Sequence, residues 1–272
     1  MESQPDYWTA AAMLAWHIEA GADEAILDMP INRYDLEAQP AKLRPKQPVA
    51  EGGDVAPAVA PLAKVDELAV AVAAAEAAAN AAATLVDLRA ALDAFPHCEL
   101  KQGARQTVFA DGNAAAPVMI IGEAPGRDED REGRPFVGRA GQLLDRMLGA
   151  IQMDRSSDDP ASAVYITNVL PWRPPGNRAP DASEIAMLLP FLNRHIALAD
   201  PKVIVLMGNT PCQAILGRTG ITRMRGGWTD YEGRPLLPMF HPAYLLRTPI
   251  AKREAWADLL SLRQKLGALS AT

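Results

Sequence analysis

Three side chains able to act on a flat heterocycle stand directly after apolar runs in this chain. Glu123 follows Val118–Ile121 and Gly122, and opens the turn Ala124-Pro125-Gly126. Asn168 closes the run Val164–Thr167, and His241 follows Leu236–Phe240 and precedes Pro242. A further run, Val203–Met207, ends in Gly208-Asn209. If these runs are parallel strands, their carboxyl ends share one edge of a sheet, where open α/β sheets bind ligands. A carboxylate, an amide and an imidazole there can hydrogen-bond a heterocycle and stabilise developing charge. Each also has a plainer use. Glu123 fits a solvated turn, Asn168 a cap on the next segment, and His241 a satisfied buried imidazole. Their shared placement favours a site.

The loop after the first run adds an aromatic. Phe136 lies in Gly133-Arg134-Pro135-Phe136-Val137-Gly138-Arg139-Ala140-Gly141. Held by Pro135 and Gly138, it offers a stacking platform for a flat ring; a core plug beneath the loop is the alternative. The acids Glu129 and Asp130 precede it.

The elements needed to position these residues are legible in the pattern. Four β-type runs separated by helical stretches at 140–150, 182–197 and 210–216, with a last helix near 250–266, predict an α/β fold. The expected architecture is a three-layer sandwich: a mostly parallel four-stranded sheet with helices on both faces. Residues 64–93 are Ala-rich without Gly or Pro, which predicts one long helix leading a domain over 64–272. Residues 1–37 predict a helical extension, with an amphipathic helix at 6–21, and the Pro/Ala-rich residues 38–63 a linker. The extension is expected either to pack on the core as a lid or to recruit a protein partner.

Bulk properties exclude several classes. The chain of 272 residues has no apolar stretch long enough to span a membrane. Two distant cysteines make no disulfide framework, which suits a cytoplasmic protein. The net charge of −6 belongs to residues 1–63, which hold ten acids and four bases; the remainder holds 23 of each. Local positive charge is what phosphate contacts require, and Arg218–Arg253 is modestly basic.

The motifs resemble the family 4 uracil-DNA glycosylases. Gly122-Glu123-Ala124-Pro125-Gly126, then Glu129-Asp130, then Gly133-Arg134-Pro135-Phe136-Val137-Gly138-Arg139-Ala140-Gly141, look like their first signature. Tyr165-Ile166-Thr167-Asn168 with Arg173-Pro174-Pro175-Gly176-Asn177-Arg178 is similar to their central segment. His241-Pro242-Ala243-Tyr244-Leu245-Leu246-Arg247 resembles the second signature, and the match spans roughly 95–265.

The resemblance implies a monomeric repair enzyme that flips uracil out of DNA and hydrolyses its N-glycosidic bond. A related glycosylase for hypoxanthine and a non-catalytic DNA-binding module are the alternatives, and a partner of the 1–37 extension would be a repair or replication protein. By the resemblance, Phe136 stacks on uracil, Asn168 pairs with its polar edge, and Gly122 and Ala124 line the pocket. Asn177 fixes the active-site loop. His241 donates to a uracil oxygen, with Glu123 and then Glu129 as the acids that position water or support the cationic sugar. Tyr244 and Leu245 press into the duplex beside Arg247, and Arg225 next to Gly226 contacts phosphate. The family normally carries a four-iron–four-sulfur cluster on four cysteines. The corresponding positions are Phe95, Cys98, Trp172 and Leu188, so no cluster is expected and an apolar plug is expected in its place. A short 171–180 segment without His implies turnover, not covalent trapping of the sugar.

Overall fold

The computed structural model describes residues 67–270. The expected extension at 1–37, its helix at 6–21 and the linker at 38–63 lie outside the described residues. The described residues fall within one compact unit, 62–272.

Six strands form one sheet: β1 (Asp111–Gly112), β2 (Val118–Gly122), β3 (Val164–Asn168), β4 (Val203–Met207), β5 (Thr229–Tyr231) and β6 (Arg234–Met239), in the order β1-β3-β2-β4-β6-β5. The central four are parallel, as expected. The expected four-stranded sheet gains β1 and β5, short antiparallel edges. Two- and three-residue edges carry too little periodicity to be seen in sequence.

Successive strand side chains point to opposite faces, and here both faces are covered. Met119, Ile121, Tyr165, Ile204, Leu206 and Leu236 join one core cluster; Val118, Ile120, Val164, Ile166, Val205 and Leu237 join the other. The first face is covered by α1 (Glu67–Ala81), α2 (Leu85–Ala94) and α6 (Ala182–Ala199), the second by α5 (Arg139–Ala150) and α10 (Lys252–Ser270). The remaining helices are short: α3 (Leu100–Gly103), α4 (Arg127–Glu132), α7 (Asn209–Leu216), α8 (Ile221–Met224) and α9 (Pro242–Arg247).

The single long helix expected over 64–93 is two helices. Thr84 breaks it by capping α2. Its Oγ1 accepts from the Asp87 amide at 3.1 Å, and Asp87 Oδ2 accepts from the Thr84 amide at 3.0 Å. Such a box satisfies otherwise orphaned amides and is worth about 1 kcal/mol. Alanine propensity alone does not carry the helix through it.

Candidate active site

The parallel register brings the strand ends together. Gly122 is paired with Asn168, and the ladder continues past the strands: the Val169 and Leu170 amides donate to the carbonyls of Gly122 (2.9 Å) and Glu123 (3.0 Å). On the other side the Gly208 amide donates to the Met239 carbonyl at 3.0 Å. A Cβ on Gly208 would lie 3.3 Å from the His241 Cβ, and the glycine's φ of 100° disfavours any L side chain.

Gly122 is the meeting point. A Cβ there would stand 2.4 Å from Asn168 Oδ1 and 2.5 Å from Phe136 Cε2. Only a glycine lets these two side chains close over the strand end. The Phe136 ring in turn stacks on the His241 ring, with centroids 5.4 Å apart and planes at 28°. Phe136 faces the site residues, and it is only 5% exposed within the second core cluster.

Asn168 is 7% exposed, and its side-chain amide makes no hydrogen bond among the described residues. No fully buried side-chain nitrogen or oxygen lacks a partner among the described residues, so the unbonded amide keeps access to solvent. It caps nothing.

His241 is the N-cap of α9. Its Nδ1 accepts from the Ala243 amide at 3.1 Å. Burial, with Arg247 adding to it, pulls the imidazole pKa down to about 4. The ring is therefore neutral at physiological pH. With Nδ1 accepting, the proton sits on Nε2. The residue presents a neutral N–H donor.

Glu123 lines a cleft of about 470 Å³ together with Ala124, Gly208, Thr222, His241 and Arg247. One carboxylate oxygen, Oε2, accepts from the Thr210 hydroxyl at 2.5 Å. Thr210 was not legible as a site residue, because nothing in Gly208-Asn209-Thr210 marks which side chain turns towards Glu123. Glu129, expected as a second acid, does not line this cleft. Its carboxylate accepts from the amides of Gly126 (3.1 Å), Val137 (3.0 Å) and Gly138 (2.9 Å). Asn177 is exposed and accepts from Arg173 Nε at 2.7 Å, which ties the 173–177 loop to itself.

The expected DNA-contacting set divides. Tyr244 and Arg247 line the cleft. Leu245 does not reach solvent at all: it is fully buried in a cluster with Leu143, Phe240, Ala251 and Ala255. The segment expected as a wedge loop is the helix α9, and its periodicity turns Leu245 inward. Arg225 is likewise engaged inside. Its Nε donates to Asp258 at 2.9 Å, its Nη2 donates to the same buried carboxylate and to the Glu254 carbonyl, and it lies 5.8 Å over the Phe240 ring. Gly226 adopts φ 72°, and a Cβ there would stand 2.5 Å from Asp258 Oδ1. Arg225 and Gly226 thus pin α10 to the sheet. The exposed arginines whose side chains make no hydrogen bond or ion pair among the described residues include Arg127, Arg139, Arg223 and Arg247. Arg127 and Arg139 open α4 and α5, Arg223 follows the cleft residue Thr222, and Arg247 lines the cleft.

The residues at the positions of a family cluster do not fit one. Phe95, Cys98, Trp172 and Leu188 are all buried in the first core cluster and offer one thiol, where cluster ligation needs thiolates. Burial pushes the Cys98 thiol pKa up, away from the thiolate. Phe95 meets Phe191 edge-on at 5.2 Å, and Trp172 Nε1 donates to Thr107 Oγ1 at 3.1 Å. Thr107 Oγ1 donates in turn to Asp93 at 2.5 Å.

Comparison with known proteins identifies the family. The model of the uracil DNA glycosylase superfamily matches residues 109–260. The type-4 uracil-DNA glycosylase of Sulfurisphaera tokodaii is 37% identical over 177 residues, covering 61% of this chain and 78% of that protein. That of Thermotoga maritima is 40% identical over 153 residues, covering 55% and 77%. That of Archaeoglobus fulgidus is 37% identical over 179 residues, covering 62% and 87%. The matched span contains β2, β3, β4 and β6 together with Glu123, Phe136, Asn168 and His241, and on that ground the chain belongs to the uracil DNA glycosylase superfamily.

Proposed function

We infer that this protein is a uracil-DNA glycosylase that flips uracil from DNA and hydrolyses its N-glycosidic bond, leaving an abasic site. The observation that carries the reading is the meeting of Asn168, Phe136 and His241 around Gly122. Those side chains supply an amide for a polar base edge, a ring for its face, and a neutral N–H donor for an oxygen that gains charge.

The steps follow from these positions. The extruded base lies against Phe136. The Asn168 amide pairs with the uracil edge, where an acceptor stands in place of the cytosine amino donor. As the bond from the sugar carbon to the base nitrogen breaks, its electron pair passes to the base. The uracil oxygen then takes a hydrogen bond from His241 Nε2. A donor aimed at developing charge in a dry site is worth about 10²–10³ in rate. The free oxygen of Glu123 faces the electron-poor sugar and holds the attacking water; as the water oxygen bonds to the sugar carbon, its proton passes to the Glu123 carboxylate and, in the end, to the departing uracil anion. Arg127, Arg139, Arg223 and Arg247 are placed to neutralise phosphates.

The protein works without an iron–sulfur cluster. Phe95, Trp172 and Leu188, the positions that the resemblance assigns to cluster ligands, pack in the first core cluster, and the Trp172–Thr107–Asp93 chain of hydrogen bonds staples the segment after β3 to α2. Alkaline cleavage of an oligonucleotide bearing one uracil, one hypoxanthine or no lesion tests the activity, and iron content of the same preparation tests the staple. Uracil-dependent cleavage by iron-free protein is expected. Binding without cleavage, or stoichiometric iron, contradicts it.

A further inference from the structure

Phe136 is held in a backbone conformation that residues with a side chain rarely adopt, with φ at 55°. The chain is gripped on both sides of it by opposite charges. After the ring, Glu129 Oε1 accepts from the Val137 and Gly138 amides at 3.0 and 2.9 Å. At the ring and before it, Arg155 Nη1 donates to the Pro135 carbonyl at 2.9 Å and Nη2 to the Phe136 carbonyl at 3.0 Å.

Both grips are themselves anchored. Glu129 Oε2 takes the Gly126 amide, which fixes the clamp to the turn that carries Glu123. The Arg155 side chain is 9% exposed and pairs with Asp145 and Asp111. Gly141 admits the Phe136 carbonyl to the side of α5: a Cβ there would lie 1.7 Å from that oxygen. Neither Glu129 nor Arg155 lines the cleft.

We propose that Glu129 and Arg155 are positioning residues for base recognition: together they clamp the 135–138 backbone so that the Phe136 ring is preset against Gly122 and His241. Four charge-assisted hydrogen bonds hold the left-handed backbone that aims the ring. With either charge removed, residue 136 relaxes towards negative φ and the ring leaves the site. Glu129, expected to act on water, then acts through Phe136 alone. This inference rests on the reading of Phe136 as the platform for uracil.

The test is a pair of double-mutant cycles read by single-turnover excision of uracil from an oligonucleotide. One cycle combines Glu129→Gln with Phe136→Leu, the other Arg155→Ala with Phe136→Leu. Each clamp substitution alone is expected to slow excision about tenfold or more, the scale of a small misplacement of a positioned group. In the Phe136→Leu background the same substitutions are expected to cost less than about threefold, because the ring they position is already gone. Free guanidinium ion is expected to restore rate to Arg155→Ala and not to the Arg155→Ala, Phe136→Leu double variant. Additive losses, or no loss from either substitution, would overturn the clamp. If Arg155→Ala unfolds, the Glu129→Gln cycle decides. Unfolding of both while Phe136→Leu stays folded overturns the proposal in favour of a global structural role. No excision by the wild-type protein contradicts the enzymatic reading itself, a separate outcome.

Discussion

The Thr210 hydroxyl donates to Glu123 Oε2 at 2.5 Å, joining the first residue after β2 to the start of α7. It occupies one carboxylate oxygen and leaves the other for the cleft. The bond also fixes the rotamer of Glu123 without contacting substrate. Thr210→Val keeps the shape and removes the donor, so single-turnover excision should fall by about tenfold. Thr210→Ser should restore most of the rate. Equal rates for Val and Ser would show that the hydroxyl does not orient Glu123.

Asn168 gives a cleaner separation of function from stability. Its amide bonds nothing among the described residues, so Asn168→Leu removes no hydrogen bond from the free protein. Uracil excision should drop by about a hundredfold, the loss expected when a site's polar partner for the base is removed. The melting temperature should stay level or rise. A marked loss of stability would mean that the amide serves the fold.

Among the described residues, His195 and His241 both contribute to the acid response. Burial takes His195 down to about 3 and His241 to about 4. Both values lie below that of the unfolded chain, about 6.5. Below pH 6.5 the unfolded state therefore binds protons that the folded state refuses, and stability falls as pH drops towards 4. His195 accepts or donates a 2.9 Å hydrogen bond with the buried Tyr165 hydroxyl. Replacing both partners, Tyr165→Phe with His195→Phe, removes the titrating group without orphaning the other. Thermal melts from pH 7 to 4 should then show a shallower decline.

The same sign governs activity. His241 is already neutral well above pH 4, so the excision rate should be flat from pH 6 to 8 on account of this residue. A rate limb near pH 6.5 that His241→Asn abolishes would contradict a His241 that is neutral throughout this range.

Trp172 is the largest piece of the apolar plug, is 1% exposed, and its N–H is bonded. Trp172→Ala should cost about 3–5 kcal/mol in chemical denaturation, as for other buried large-to-small changes. Wild-type stability should not respond to iron chelators.

Much of this site is legible in the sequence. Glu123, Asn168 and His241 each end an apolar run, and parallel pairing alone brings such ends together. Phe136 was marked by its flanking Pro135 and Gly138. What stayed hidden depended on side-chain direction in short elements. Leu245 looked like an exposed wedge because a six-residue helix is too short to declare its buried face. Arg225 looked free because Asp258, its partner, is 33 residues on. Arg155 sits in a polar loop whose pattern says nothing of the Phe136 carbonyl it reaches. Thr84 split an Ala-rich helix through a local hydrogen bond that propensity does not count.

The most direct test of the account is alkaline cleavage of a single-uracil oligonucleotide by iron-free protein, beside His241→Ala. The account predicts efficient cleavage at uracil by the wild type, none at cytosine, and a loss of about a hundredfold or more in the variant. Absence of uracil-dependent cleavage, or an unchanged rate in His241→Ala, would contradict it.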